Sequence, residues 1–230
     1  MNFMEGKSCC PIDQVSLLVD EKGVFNISFL KLLLISFLPV HKQYRKQLSK
    51  EICAQIHAVL PYLSGKPLRI DSHSHYHMIP VVFDALMDVI LEQELPVSYI
   101  RIPREHIKIY LRCKKKLMGF RPINLLKTLI LNVLSRRNLS KYRNFEAGLE
   151  HSVFIGVLYS GRMCIQNIQA LRPEAERLNQ NIEILAHPGG VFEEEDIRQL
   201  TNKGDIAFLT SDFRKKEAIA FINLKTEDPV

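Results

Sequence analysis

Arg69-Ile-Asp-Ser-His-Ser-His-Tyr-His-Met-Ile-Pro80 is the stretch on which the reading of this chain turns. Asp71, His73, His75 and His77 alternate with Ser72, Ser74 and Tyr76. Side chains two apart share a face of a β-strand. On a helix the same spacing would fan the imidazoles over about 200°, at roughly 100° per residue. Gly65 and Pro67 precede the run and Pro80 closes it. The spacing therefore predicts a short strand whose polar face, Asp71 with three histidines, opens into a site. Neutral imidazole is the commonest side-chain metal ligand, and a carboxylate often fixes its tautomer. Neighbours on one strand face diverge too far for all to converge on one ion. One or two histidines are thus expected to bind metal, the others to bind substrate or support the ligands. A solvated edge strand is the plainer alternative.

The flanks supply the fold class. Tyr44 to Leu63 places Leu48, Ile52, Ile56, Val59, Leu60 and Leu63 at helical spacing, and Gly65 with Pro67 stops it. Val81 to Leu95 repeats the pattern with Phe83, Leu86, Met87, Ile90 and Leu91, and Val97 to Ile102 alternates as a strand. Helix, strand, helix, strand is the signature of α/β layering with parallel strands. Further on, Val153–Tyr159, Asn181–Ala186 and Ile206–Thr210 read as strands. Ile123–Leu134, Met163–Leu178 (with Pro173 as a break), Phe192–Asn202 and a last segment from Asp212 read as helices. Phe29 to Leu38 is too apolar for a surface helix and reads as a core cap or lid. The pattern supports a β/α barrel or a related open sheet, in which chemistry sits at strand C-termini.

The chain has 230 residues, 47% hydrophobic and 24% charged, enough for one sizeable core. No signal pattern opens it. Its longest apolar run, Ser28 to Val40, is 13 residues with Lys31 inside, too short to span a bilayer. Five cysteines without zinc-site spacing fit free thiols in a reducing cytoplasm. From Arg101 to Arg143 there are 13 Lys and Arg against one acid, Glu105, while the remainder holds 18 basic and 24 acidic residues. Such a block binds nucleic acid, anionic lipid or an anionic ligand, or is simply a solvated face. Its aromatic content is thin and no nucleic-acid motif appears. We expect it to be an insertion, at about residues 104–143, in a single domain covering 1–230.

A second constellation closes the functional residues. His187 directly follows the strand Ile182–Ala186 and precedes Pro188-Gly-Gly190. A histidine at a strand end beside an open turn suits a general acid. Arg101 and Arg104 straddle Pro103 just past a strand, placed to bind a substrate oxyanion or to pair with Glu105. His41, His57, His106 and His151 stand alone and read as structural or exposed.

Asp71-Ser-His-Ser-His-Tyr-His-Met-Ile-Pro80 resembles the D-S-H-x-H-x-H-x-x-P motif of the YdjC-like (ChbG-like) carbohydrate deacetylases. Glu51-Ile-Cys-Ala-Gln55 with Gly65, Ile102-Pro-Arg-Glu105, Phe154-Ile-Gly156 with Ser160-Gly161, and Ala186-His-Pro-Gly189 resemble that family too, in order. The resemblance implies an irregular β/α (TIM-like) barrel and a metal-dependent hydrolase that removes acetyl groups from N-acetylated sugars. It implies a divalent ion, Mg2+ or Zn2+, bound by an N-terminal Asp and His and by His73. Asp71, His75, His77, Arg101 and Arg104 would support the site or bind substrate, with His187 as the acid. Asn2-Phe-Met-Glu-Gly-Lys7 resembles the turn that follows the family's metal-binding His, which counting back puts one position before Met1. The expectation is then that the Asp pair and the first strand or strands lie upstream and that hydrolysis by this chain is impaired. One imidazole falls short of the three protein ligands a catalytic ion normally takes. A small carbohydrate substrate, a cytoplasmic location and a homodimer are the matching expectations, with no membrane span and no specific nucleic acid. The rivals are a non-catalytic sugar- or anion-binding remnant, and a nucleic-acid or membrane-surface binder working through residues 101–143.

Overall fold

The computed structural model describes residues 1–4, 6–189 and 203–227. The chain divides into two compact units, Met1–Ile102 with Val133–Glu150, and Pro103–Asn132 with His151–Val230.

In the first unit, short helices α1 (Ile12–Val15) and α2 (Phe29–Ile35) precede the long α3 (His41–Val59). Ser28 starts α2 by accepting a hydrogen bond from the Lys31 N–H at 3.2 Å. Strand β1 (Leu68–Ile70), α4 (Pro80–Glu92) and β2 (Val97–Ile100) follow. Pro80 sits in the first turn of α4, where a missing N–H costs nothing. The expected helix–strand–helix–strand order is present, and β1 and β2 pair in parallel, Leu68 opposite Val97 and Ile70 opposite Ile100. α3 lies against α4. Leu48, Ile52 and Ile56 from one, and Val82, Leu86, Met87 and Ile90 from the other, are buried. Each such side chain contributes roughly 1.5–3 kcal/mol. Val59 and Leu91, at the ends of the two apolar stripes, are exposed, so both faces are narrower than their spacing predicts. Asp84, on α4, is buried and takes both oxygens to Arg137, with Lys141 and Tyr142 also on it. Burial disfavours its charge, but these donors win and hold the carboxyl down at about 2.

In the second unit come α5 (Ile107–Cys113) and the first half of α6 (Pro122–Lys141), whose residues are divided between the two units. After α7 (Arg143–Glu146), β3 (Ser152–Ile155), α8 (Ile165–Glu176) and β4 (Asn181–Ile184) form a second parallel β–α–β unit. Ile109, Val153, Ile155, Met163, Ile168 and Leu171 make its core. Gly156, just past β3, has φ +126°, and a Cβ there would lie 2.4 Å from the Leu185 carbonyl oxygen, so only glycine fits.

Two expectations change here. Ile206–Thr210, expected as a strand, lies in α9 (Lys203–Leu209), with the Thr210 N–H on the Ile206 carbonyl at 3.0 Å. So short an apolar run carries no periodicity that separates helix from strand. Pro173 does not break α8. It is exposed, so water can serve the carbonyl that loses its donor. The expected helix over residues 192–202 lies outside the described residues. The final helix begins as expected, α10 (Asp212–Glu227), with the Phe213 N–H on the Ser211 hydroxyl.

Candidate functional site

The histidine run is not a strand. β1 ends at Ile70, and His73–Met78 coil as a 3-10 segment in which Ser74 (φ 50°) and His75 (φ 58°) are left-handed. That conformation costs roughly 1–2 kcal/mol per non-glycine residue. Ser72 offsets it. Its hydroxyl oxygen accepts the His77 backbone N–H at 2.8 Å, and its O–H donates to His77 Nδ1 at 2.7 Å. His77 Nε2–H donates to the Arg101 carbonyl at 2.7 Å, which fixes the tautomer because a carbonyl only accepts. Period-two alternation is therefore lost. His73 is exposed, while His75 and His77 are buried with ring centroids 6.3 Å apart. Burial pushes His77 down to about 4, so it is neutral near pH 7.

The ends of β1 and β2 meet at this turn. The Arg101 N–H bonds the Ile70 carbonyl at 2.9 Å, and the Arg101 guanidinium pairs with the Asp71 carboxylate. Met1 runs alongside, its amino group on the Asp71 carbonyl at 2.8 Å and its own carbonyl taking the His73 N–H at 3.0 Å. Asp71, Ser72, His77 and Arg101 thus converge at strand C-termini, where open α/β sheets bind ligands. Arg104 belongs to the second unit and is exposed.

His187 also belongs to the second unit, just past β4. Its backbone N–H donates to the Glu217 carboxylate, and its ring Nδ1 lies 3.9 Å from Glu217 Oε2. The Phe208 ring meets the imidazole edge-on at 5.6 Å. Glu217 also takes the Met163 N–H at 2.7 Å, and Arg214, one turn earlier, donates to the Gly189 carbonyl. α10 thereby holds the His187–Gly189 loop at both ends. Burial pushes the Glu217 carboxyl above its ordinary range, opposed by these N–H donors.

The two constellations carry the motif residues in the same order as one known group of proteins. A family model described as YdjC-like protein matches residues 1–220. The chain belongs to the YdjC-like family. Over 107 residues this YdjC-like chain is 31% identical to a carbohydrate deacetylase of Xenopus laevis, a match covering 45% of the chain and 32% of that protein. The chain therefore matches about a third of that relative's length.

The donor set among the described residues of the YdjC-like chain does not by itself fit a divalent ion. Among the described residues, no group of three His, Cys, Asp or Glu side chains is placed to hold one. His77 has both ring nitrogens engaged, Asp71 is on Arg101, and His73 faces solvent.

Sequence reasoning missed one carboxylate, Glu217, and paired another, Glu105, with the wrong partners. Glu217 interrupts the apolar stripe Phe213, Ala220, Phe221, Leu224 of α10, a signal visible in the spacing. Glu105, considered as a partner for Arg101 or Arg104, has other company. It is 3% exposed and accepts the N–H groups of Gly156, Val157 (2.7 Å) and Leu158 (2.9 Å), with hydroxyls from Tyr110 and Thr128. Burial pushes its carboxyl up, and these donors oppose the shift. Its role is to hold the turn after β3.

Proposed function

We propose that this chain works on N-acetylated carbohydrate as a deacetylase of the YdjC-like family, with an irregular β/α barrel as its architecture. The observation that carries this is the polar convergence of Asp71, Ser72, His77 and Arg101 at the ends of β1 and β2. The name of the Xenopus relative supports the substrate class.

In this reading Arg101, oriented by Asp71, supplies positive charge beside a sugar hydroxyl or a developing oxyanion. His75 and His77 give the turn its shape, Arg104 attracts an anionic substituent, and His73 is the one residue here open to an ion such as Mg2+ or Zn2+. Because the described donors do not fit that ion, the chemistry is carried only as far as the protein groups take it. Water oxygen adds to the acetyl carbonyl carbon and gives up its protons to solvent, the C–N bond breaks, and the amine leaves as it is protonated. His187 is the proposed proton donor, its loop held by Glu217 and Arg214. Acetate and the free amino sugar are the products, and His187 recovers its proton from solvent.

One observation favours a second reading. The donor set among the described residues suits binding of an N-acetyl sugar without turnover. Acetate release from an N-acetylglucosamine disaccharide, assayed with Mg2+ and with Zn2+, separates the two. Release that His187→Ala abolishes supports hydrolysis. Saturation-transfer NMR signals from the sugar without acetate support binding alone, and neither result overturns both.

A further inference from the structure

α6 mixes its faces. In the second unit its buried side carries the polar Asn124 and Thr128 beside Leu131. Asn124 donates to the Ser160 carbonyl at 3.2 Å, Thr128 to Glu105 at 3.3 Å, and Asn132 exchanges two hydrogen bonds with the Glu105 backbone at 2.8 and 3.0 Å. With those positions committed to polar recognition, most of the aliphatic residues on this part of the helix fall on the outside. Ile123 is 50% exposed, Leu126 53% and Leu129 49%. On the approach to the helix, Leu111 (61%), Met118 (56%) and Phe120 (50%) are exposed too.

The charge on the same stretch is one-sided. No Asp or Glu occurs from His106 to Phe145. Lys108, Lys114, Lys115, Lys116, Arg121 and Lys127 are all exposed among these apolar side chains. Glu105, the acid just before, is buried on its own backbone donors.

We propose that residues 108–129 are a peripheral docking surface for anionic lipid membranes. Basic side chains meet the headgroups, and Leu111, Ile123, Leu126 and Leu129 enter the boundary with the acyl chains. Charge decides between occupants. A second copy of this chain would bring the same positive surface against itself, and like charges face to face repel. Single-stranded nucleic acid would match the charge, but bases need aromatic platforms, and the exposed apolar groups are aliphatic except Phe120. A bilayer offers anionic headgroups above an aliphatic layer and meets both demands. The surface lies on the membrane rather than crossing it, since among the described residues no helix is long and apolar enough to span one.

Co-sedimentation of the full chain with vesicles tests this. The chain is expected to pellet with phosphatidylcholine vesicles that contain phosphatidylserine, to stay in the supernatant when the vesicles are pure phosphatidylcholine, and to be released by high salt. Each lysine near an anionic surface is worth about fivefold in partitioning, so Lys114→Glu/Lys115→Glu/Lys116→Glu, which removes three positive charges and adds three negative ones, should weaken binding by at least about 100-fold. Leu126→Ser/Leu129→Ser should weaken it at least tenfold with an unchanged melting temperature, because both side chains already face water. No binding, equal binding to neutral vesicles, or binding that the serine variant leaves intact overturns the proposal. So does displacement from vesicles by a single-stranded oligonucleotide with the serine variant unaffected, or self-association that the serine variant dissolves. If the glutamate variant fails to fold, salt release of the unmodified chain carries the electrostatic arm.

Discussion

Ser72 and His77 are bonded to each other twice, the serine oxygen accepting the histidine backbone N–H at 2.8 Å and its hydroxyl donating to the imidazole Nδ1 at 2.7 Å. The remaining ring nitrogen reaches the end of β2. One small hydroxyl thus converts an alternating run into a closed turn and ties it to the neighbouring strand.

Ser72→Ala removes both bonds and leaves a buried imidazole nitrogen and a buried N–H without Ser72. The expected loss is about 1–3 kcal/mol, read as a lower urea midpoint. Loss of more than a few tenths in the m-value slope would point instead to a changed denatured state.

Acid should unfold the chain in two stages. His77, lowered from 6.5 to about 4, is kept neutral by burial, so the unfolded chain binds the extra proton. Its contribution is full above about pH 6.5 and is lost as pH falls toward 4, about 3 kcal/mol in all. Asp84, lowered from 3.8 to about 2, contributes above pH 3.8 and is lost as pH falls through 2. His77→Gln should abolish the first stage of a pH–stability curve, and Asp84→Asn the second. A curve flat from pH 6.5 to 4 in the unmodified chain would contradict the buried neutral His77.

Glu105→Gln replaces an acceptor-only carboxylate with a group that points N–H donors at backbone N–H groups. The expected cost is about 2–4 kcal/mol, far above that of an exposed glutamate. Thermal unfolding measures it, and Tyr110→Phe should cost less because the backbone donors remain.

Glu217→Ala should loosen the His187 loop. Hydrogen exchange at the His187 and Met163 amides is expected to rise about tenfold or more as their shared acceptor disappears. Exchange that stays slow at His187 would mean that Arg214 alone holds the loop.

The residues that shape the site show how far a linear reading goes. α3, α4 and the strand pairs β1–β2 and β3–β4 were legible because helical spacing, breakers and alternating runs are local properties. The motif order through Asp71, Glu105, Gly156 and His187 was equally legible, and with it the family. Glu217 was only a lone acid in an apolar stripe until α10 met the loop after β4.

By itself, then, the sequence determined the parallel α/β layering, the family and the one-sided charge of residues 106–145. Only tertiary structure decided that His73–Met78 coil rather than extend, because the deciding bonds run from Ser72 to His77 and from His77 to Arg101. Only tertiary structure decided that α6 buries Asn124 and Thr128 and leaves Leu125, Leu126 and Leu129 exposed, because the Ser160 carbonyl and Glu105 take hydrogen bonds from the two polar side chains. Periodicity reports the average preference of a side chain for water or core. A buried hydrogen bond to a distant residue outweighs that preference at one position, and a linear pattern does not encode where that residue will be.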